Sequence, residues 1–371
     1  MKLLEFINEH DNWKELLQQS PYNLIVKEKD DYTLLKYNQL ESDFSNEIVR
    51  ECRGIILNKD NKIVCYPFHK FFNYGEQYAD FIDWSTARVF EKIDGSLIKL
   101  WHNRNAWRWS TNGNIDADSL PLGLDPIASL KCSAKTWGEL IRSSINYSGL
   151  DFSKLNENYT YMFELVSPYT TIIIPYEETK LYHLATRDNR TFKEAGIDIG
   201  IEKPKSYPLR TLDDCTKAAE QMDKSHEGFV VVDGNYHRVK IKNPLYLKMH
   251  IAANNGNITV RGVLDLIKSG DAEEFLSYFP QYTKETNLIK SIIDTYQLQM
   301  ALDYDQVKLL CKEKSRKETA IFINNNTKWK DWCFYKLYKN SDIEPKTYLF
   351  DVILGDNLLK MIVKDLKGTK L

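Results

Sequence analysis

The 371 residues carry 50 Lys and Arg against 52 Asp and Glu and are 43% hydrophobic, enough chain for two domains with proper cores. A formal net charge of −2 excludes a global positive field, so any surface for a polyanion must be a local patch. Cys52, Cys65, Cys132, Cys215, Cys311 and Cys333 are scattered without metal-ligand spacing, and no run approaches 18 apolar residues. Reduced structural thiols, a cytoplasmic location, no signal peptide and no membrane span are the expectations.

Residues 2–18 place Leu4, Ile7, Trp13, Leu16 and Leu17 at helical spacing, which predicts an amphipathic cover helix stopped by Ser20 and Pro21. Residues 22–37 hold two β-rich runs separated by Asp30 and Asp31, a hairpin pattern. Residues 51–76, ECRGIILNKDNKIVCYPFHKFFNYGE, read as two strands joined by a turn at 58–61, then an aromatic and basic segment. Arg53 beside Gly54 lets a guanidinium and a backbone approach an anion together, and Lys70 beside Phe71 and Phe72 pairs a cation with ring faces. Taken singly, each also reads as a solvated charge beside core aromatics.

The stretch FEKIDGSL, residues 90–97, organises the chain. Lys92 follows a strand that ends near Glu91 and precedes the turn dipeptide Asp94 and Gly95, so it stands at a tight bend where backbone approaches a phosphate. A lysine is a strong nucleophile only when neutral, and its ordinary pKa of about 10.4 requires burial or neighbouring cations to bring it near 7. Alone, the same stretch is an ordinary hairpin turn with an edge lysine. Residues 96–115 continue as a hairpin with its tip at 103–105, and residues 115–156 predict a largely helical insert with Leu130, Trp137, Leu140 and Ile141 on one face. Trp137 reads as core.

YTYMFELVSPYTTIIIPY, residues 159–176, predicts a buried strand, a turn and a second β-branched strand, with Glu164 costly in mid-strand unless paired. LYHLATRDNRTF, residues 181–192, is a further strand. DDCTKAAEQMDKSH is a surface helix, and EGFVVVDGNYHRVKIKNPLYL folds as a hairpin turning at Asp233 and Gly234. Strand alternation puts Lys240 and Lys242 on one face with Ile241 opposite, where they either grip an anion or protect an edge strand. Beyond about residue 250 helical spacing takes over: one helix stops at Gly270, a long run covers 284–314, and Ser315 to Glu318 is a capping box. KWKDWCFYKLYK, residues 328–339, interleaves lysines with Trp329, Trp332, Phe334 and Tyr335, most of them suited to core.

Glu51-Cys52-Arg53-Gly54-Ile55, then KFFN, the Lys92 motif, YMFELVSP, EGFVVV and VKIKNPLYL occur in a fixed order. That series resembles the T-even phage RNA ligase 1 family of the covalent nucleotidyltransferase superfamily. The resemblance covers residues 40–250 and implies an α+β fold: an adenylyltransferase domain of mixed and antiparallel sheets with helices over 1–248, then an all-α domain over 249–371 that selects the RNA. It implies an ATP-dependent ligase that joins RNA 5′-phosphate and 3′-hydroxyl ends, single-stranded or in loops and tRNA among them, in RNA repair, as an intracellular or phage-encoded monomer.

Lys92 is then the nucleophile that carries AMP. Arg53, Lys70, Phe72, Glu91, Gly95, Glu164, Glu227, Lys240 and Lys242 bind ATP, with Glu164 and Glu227 holding Mg2+ or Mn2+, directly or through water. One departure stands out: Asn112 occupies a position where the family carries a basic residue, leaving Lys99, Arg104 or Arg108 to supply that charge. A DNA ligase or an mRNA-capping nucleotidyltransferase shares the lysine chemistry, but usually adds an OB-fold where this chain turns helical. A non-catalytic RNA-binding protein would need no intact nucleophile.

Overall fold

The structure, a computed structural model, describes the chain except residues 40, 125–130, 171, 173, 224, 247–259, 279 and 369–371. It divides into two compact units, one of residues 1–38 and 42–250 and one of residues 39–41 and 251–371. The boundary expected at 248 and 249 lies outside the described residues.

In the first unit, β1 (Leu24–Lys29), β2 (Tyr32–Tyr37), β3 (Arg53–Asn58) and β4 (Ile63–Cys65) form an antiparallel sheet in that order. The predicted cover helix is two helices, Lys2–Glu9 and Trp13–Leu17. They bury Leu3, Ile7, Trp13 and Leu17 against Leu24, Leu35, Ile55 and Leu57. Next, β5 (Phe72–Asn73) and β6 (Arg88–Glu91) enter a second sheet. The chain leaves it to build a third from β7 (Ser96–Asn103), β8 (Ala106–Thr111), β9 (Tyr159–Val166), β10 (Lys180–Asp188) and β11 (Glu194–Ala195). It then returns through β12 (Ser206–Tyr207), β13 (Gly228–Val232) and β14 (Arg238–Lys242), giving the second sheet the order β12, β6, β13, β14, β5. Only the β14 and β5 pairing is parallel among the described ladders of these sheets.

Period-2 alternation decides which faces are core. In the second sheet Val89, Phe229, Val231, Val239 and Ile241 face inward against Cys215 and Ala219 of the helix Leu212–Glu220. Burying each large side chain contributes about 1.5–3 kcal/mol. The intervening residues Arg88, Phe90, Val230, Val232, Arg238 and Lys240 are thereby committed to the opposite face. In the third sheet Ile98, Leu100, Tyr161, Phe163, Leu165 and Leu181 form the core with Leu140 and Ile141.

Among the described residues of the insert over 115–156 the named helices are the α-helix Trp137–Arg142, whose Thr136 N-cap accepts from Glu139 N–H, and the short 3-10 turns Tyr147–Gly149 and Phe152–Lys154; residues 125–130, Leu130 among them, lie outside the described residues. In the β-branched run after Ser167 residues 171 and 173 lie outside the described residues; among the others no strand is named, and Ile174 N–H donates to Asp94 at 2.8 Å. All six cysteines are free and buried. In the second unit the helices Val260–Ser269, Ala272–Tyr278, Thr283–Leu310, Arg316–Asn326, Lys330–Tyr338 and Leu354–Gly368 follow one another, and the Ser315 and Glu318 capping box is formed. Trp329 and Trp332 are core there, Trp332 Nε1 donating to Met300 O. No helix among the described residues is long and apolar enough to cross a membrane.

Candidate active site

A cavity of about 760 Å³ lies in the first unit, walled by the polar face of the second sheet and by β9 and β10 of the third. Strand register arranges its floor in rows. Lys92 N–H donates to Gly228 O, and Gly228 pairs with Lys242; Phe90 pairs with Val230, and Val230 with Lys240; Arg88 pairs with Val232, and Val232 with Arg238. Rows two residues apart stand about 7 Å from one another. Lys92 therefore occupies one end, a phenylalanine and a valine the middle, and cations flank the floor.

Lys92 lies just past the end of β6, and its Nζ donates to Glu227 Oε2 at 2.5 Å. The turn behind it is fixed by the buried Asp94, whose carboxylate accepts from Ile174 N–H at 2.8 Å and from Tyr246 Oη at 3.0 Å. Gly95 is required by close approach: a methyl there would stand 2.6 Å from Leu165 O and 3.0 Å from Glu164 Cγ. The lysine motif thus packs directly on the strand that carries Glu164. Glu164 lines the cavity, and burial pushes its carboxyl up to about 7, Lys92 opposing this and Glu227 reinforcing it.

That shift has a stability consequence with a definite sign. The folded chain holds the Glu164 proton between about pH 4.5 and 7 where the unfolded chain has released it, so this group's contribution falls as pH rises through that window. We expect Glu164→Gln to flatten the decline of Tm between pH 4.5 and 7.5. A profile identical to that of the parent chain would refute it.

Lys240 is held well below the ordinary lysine range by burial first, then by Lys70, Lys242, Lys92 and Arg53. Its ammonium lies 5.6 Å from the Phe71 ring, and the Arg53 guanidinium lies 4.9 Å from the same ring. Arg53, Glu91, Lys92, Gly95, Glu164 and Lys240 line the cavity; Glu227 and Lys242 border it through Lys92 and the shared row. Lys70 and Phe72 do not line it. The Lys70 ammonium stands 5.2–5.3 Å from the rings of Tyr37, Phe44 and Phe72, and Phe72 packs on Phe44 and Tyr78. Phe71, just before β5, takes the cavity position instead.

None of the three residues expected to compensate Asn112 reaches the cavity. Arg104 pairs with Asp31, and Arg108 lies over the rings of Tyr32 and Trp101. Lys99 is fully buried one layer behind the wall, its Nζ donating to Gly54 O at 2.5 Å. Burial lowers its ammonium to about 8. Gly54 is required by close approach: with φ +84°, it leaves no room for a Cβ, which would lie 2.5 Å from Asn112 O and 2.8 Å from Lys99 Nζ. Asn112 itself does line the cavity.

Residues to which the sequence gave no role in the site complete the walls. Trp137 packs on the core and also lines the cavity, and the bulge between His183 and Ala185 turns Leu184 into it. Arg238 and Glu194 line the same cavity and pair with each other. Flat apolar walls beside a cationic floor and one lysine amine define a site for an anionic ligand that carries a ring.

Residues 51–246, more than half of the chain, match the RNA ligase family, and the chain belongs to that family. A provisionally named bifunctional polynucleotide kinase/RNA ligase of Autographa californica nuclear polyhedrosis virus is 30% identical over 282 residues, 72% of this chain and 39% of that protein. The chain thus spans well under half the length of that viral relative. An RNA ligase of Rhodothermus phage RM378 is 25% identical over 348 residues, covering 76% of this chain and 78% of the phage protein. Among solved structures, form 2 of an archaeal ATP-dependent RNA ligase aligns with 97% of this chain and 96% of its own at 12% identity, with a TM-score of 0.49.

Proposed function

We propose that this chain is an ATP-dependent RNA ligase that works through a lysyl-AMP on Lys92. The observation that carries the reading is the placement of Lys92 on the cavity, ion-paired to Glu227 at one end of a floor that also presents Lys240. Lys92 must shed both a proton and its Glu227 partner before its nitrogen attacks the α-phosphorus of ATP, forming an N–P bond as pyrophosphate leaves. An RNA 5′-phosphate oxygen then displaces Lys92 and takes the AMP, and a 3′-hydroxyl displaces AMP from the activated end. Lys240 and Arg53 supply fixed positive charge to the phosphates, and Trp137 with Leu184 offers apolar contact to the base.

The carboxylates suit a divalent metal. Glu164 has no hydrogen-bond or ion-pair partner among the described residues, and Glu227 and Asp94 both load it with negative charge. Glu164 and Glu227 would hold magnesium or manganese, partly through water, and such an ion neutralises phosphate charge. Incubation with α-labelled ATP or GTP followed by a denaturing gel tests the reading. Label retained from ATP is expected. No retained label, or label taken preferentially from GTP, would overturn it.

The same proposal gives the helical unit the choice of RNA, in repair of broken tRNA or other looped strands. Arg316 lies 4.7 Å over the ring of Tyr338, with Lys339 next to it and exposed, the mix of charge and stacking faces that single strands use. A chain ended after Tyr246 should still form lysyl-AMP within about tenfold of the full chain, yet lose discrimination among RNA substrates. Unchanged preference across a panel of RNAs would remove the selection role.

A further inference from the structure

At the edge of the cavity, strand register pairs Lys36 of β2 with Arg53 of β3, just past a register shift between Leu35 and Lys36. Like charges at directly opposed positions of an antiparallel pair destabilise it. This pair is not an isolated blemish. Lys36 Nζ stands 3.7 Å from the point a Gly113 side chain would occupy, and Lys27, on the next strand, donates to Gly113 O at 2.8 Å. The buried Lys99 lies behind, and both Lys36 and Arg53 add to burial in weighing on its ammonium.

Among the described residues no carboxylate lies within ion-pair distance of Lys27, Lys36, Arg53 or Lys99. Tyr37 registers the same field. Burial alone would raise its hydroxyl, yet Lys70, Arg53 and Lys36 bring it below the ordinary tyrosine value. Four cations gathered without an acid, at a turn that lines the cavity, are an arrangement that an anion would relieve.

We propose that Lys36 and Lys27, with Arg53 and the 112–113 turn, form a phosphate subsite at the cavity edge. It rests on the nucleotidyl-transfer reading above and deepens it. The phosphate has two sources, the β- and γ-phosphates of the nucleotide or the 5′-phosphate of the incoming RNA, and the two act at different steps.

The test uses the full chain and Lys36→Gln, with Lys27→Gln as a second variant; neither residue touches Lys92. Pyrophosphate binding by calorimetry needs no turnover. About tenfold weaker binding is expected in Lys36→Gln, the scale of one lost charged hydrogen bond. Two activity arms locate the source. A raised KM for ATP with normal transfer from preformed lysyl-AMP identifies the nucleotide tail. Normal lysyl-AMP formation, with slowed transfer to 5′-phosphorylated RNA and a shallower salt dependence, identifies the RNA end. If the parent chain forms no adduct, the ligase reading fails while the calorimetry still judges the subsite. Pyrophosphate affinity and both arms unchanged in the two folded variants would overturn the proposal, as would a higher Tm with no change in affinity, since the like charges would then have been unrelieved repulsion.

Discussion

Lys92→Ala should retain no label after incubation with α-labelled ATP and denaturation, while the parent chain retains about one AMP per molecule. The loss should be complete within detection, because the other amine of that row, Lys242, is set apart from Lys92 across the Gly228 position. The stricter variant is Lys92→Arg. A guanidinium can keep an ion pair with Glu227 2.5 Å from the present amine position, so charge and local packing are largely preserved. What it cannot do is deprotonate near neutral pH, and a protonated nitrogen has no lone pair for phosphorus. Lys92→Arg should therefore fold, bind ATP and form no adduct. Circular dichroism checks the fold and the gel checks the adduct. An undiminished adduct in either variant would remove Lys92 from the chemistry.

Lys92 was legible because its environment is written locally: a strand, an Asp-Gly turn and flanking motifs in order. Glu164 was legible for a related reason, since a carboxylate in mid-strand announces that something must offset its burial, whereas Glu227, just before β13, was carried by the order of the motifs alone. The choice between Phe71 and Phe72 was not legible. Period-2 alternation does not say which of two neighbours faces the ligand, and β5, two residues long, begins only at Phe72. The surroundings of Gly54 were hidden because Lys99 and Asn112 approach it from strands more than 40 residues away. Arg238 shows the same limit: beside Lys240 and Lys242 it reads as one more surface cation, and its partner lies on another sheet.

That partner supplies the second large expected effect. Glu194 accepts from Arg238 Nη1 and Nη2, both at 2.6 Å, and from Arg187 Nη2 at 3.0 Å, with all three side chains no more than 10% exposed. Arg187 also donates to Pro67 O at 2.7 Å and lies over Tyr66, and Arg238 lies over Phe68. The network ties β10 and β11 of the third sheet to β14 of the second, across the cavity that both sheets line. Glu194→Ala would leave two guanidinium groups buried without their carboxylate, which costs about 3–5 kcal/mol. In a unit of this size that lowers Tm by roughly 10 °C. The nucleotide step should suffer as well, because Arg238 follows Lys240 by one row on the floor. If instead the network matters only as buried charge, replacing Glu194 and both arginines together by apolar residues of similar size should recover much of the stability. Adenylylation need not return with it, because the wall would have lost Arg238. Thermal melts and adduct rates on the single and triple variants separate the two contributions. A Glu194→Ala chain within about 1 kcal/mol of the parent would show that the sheets are held together by other contacts.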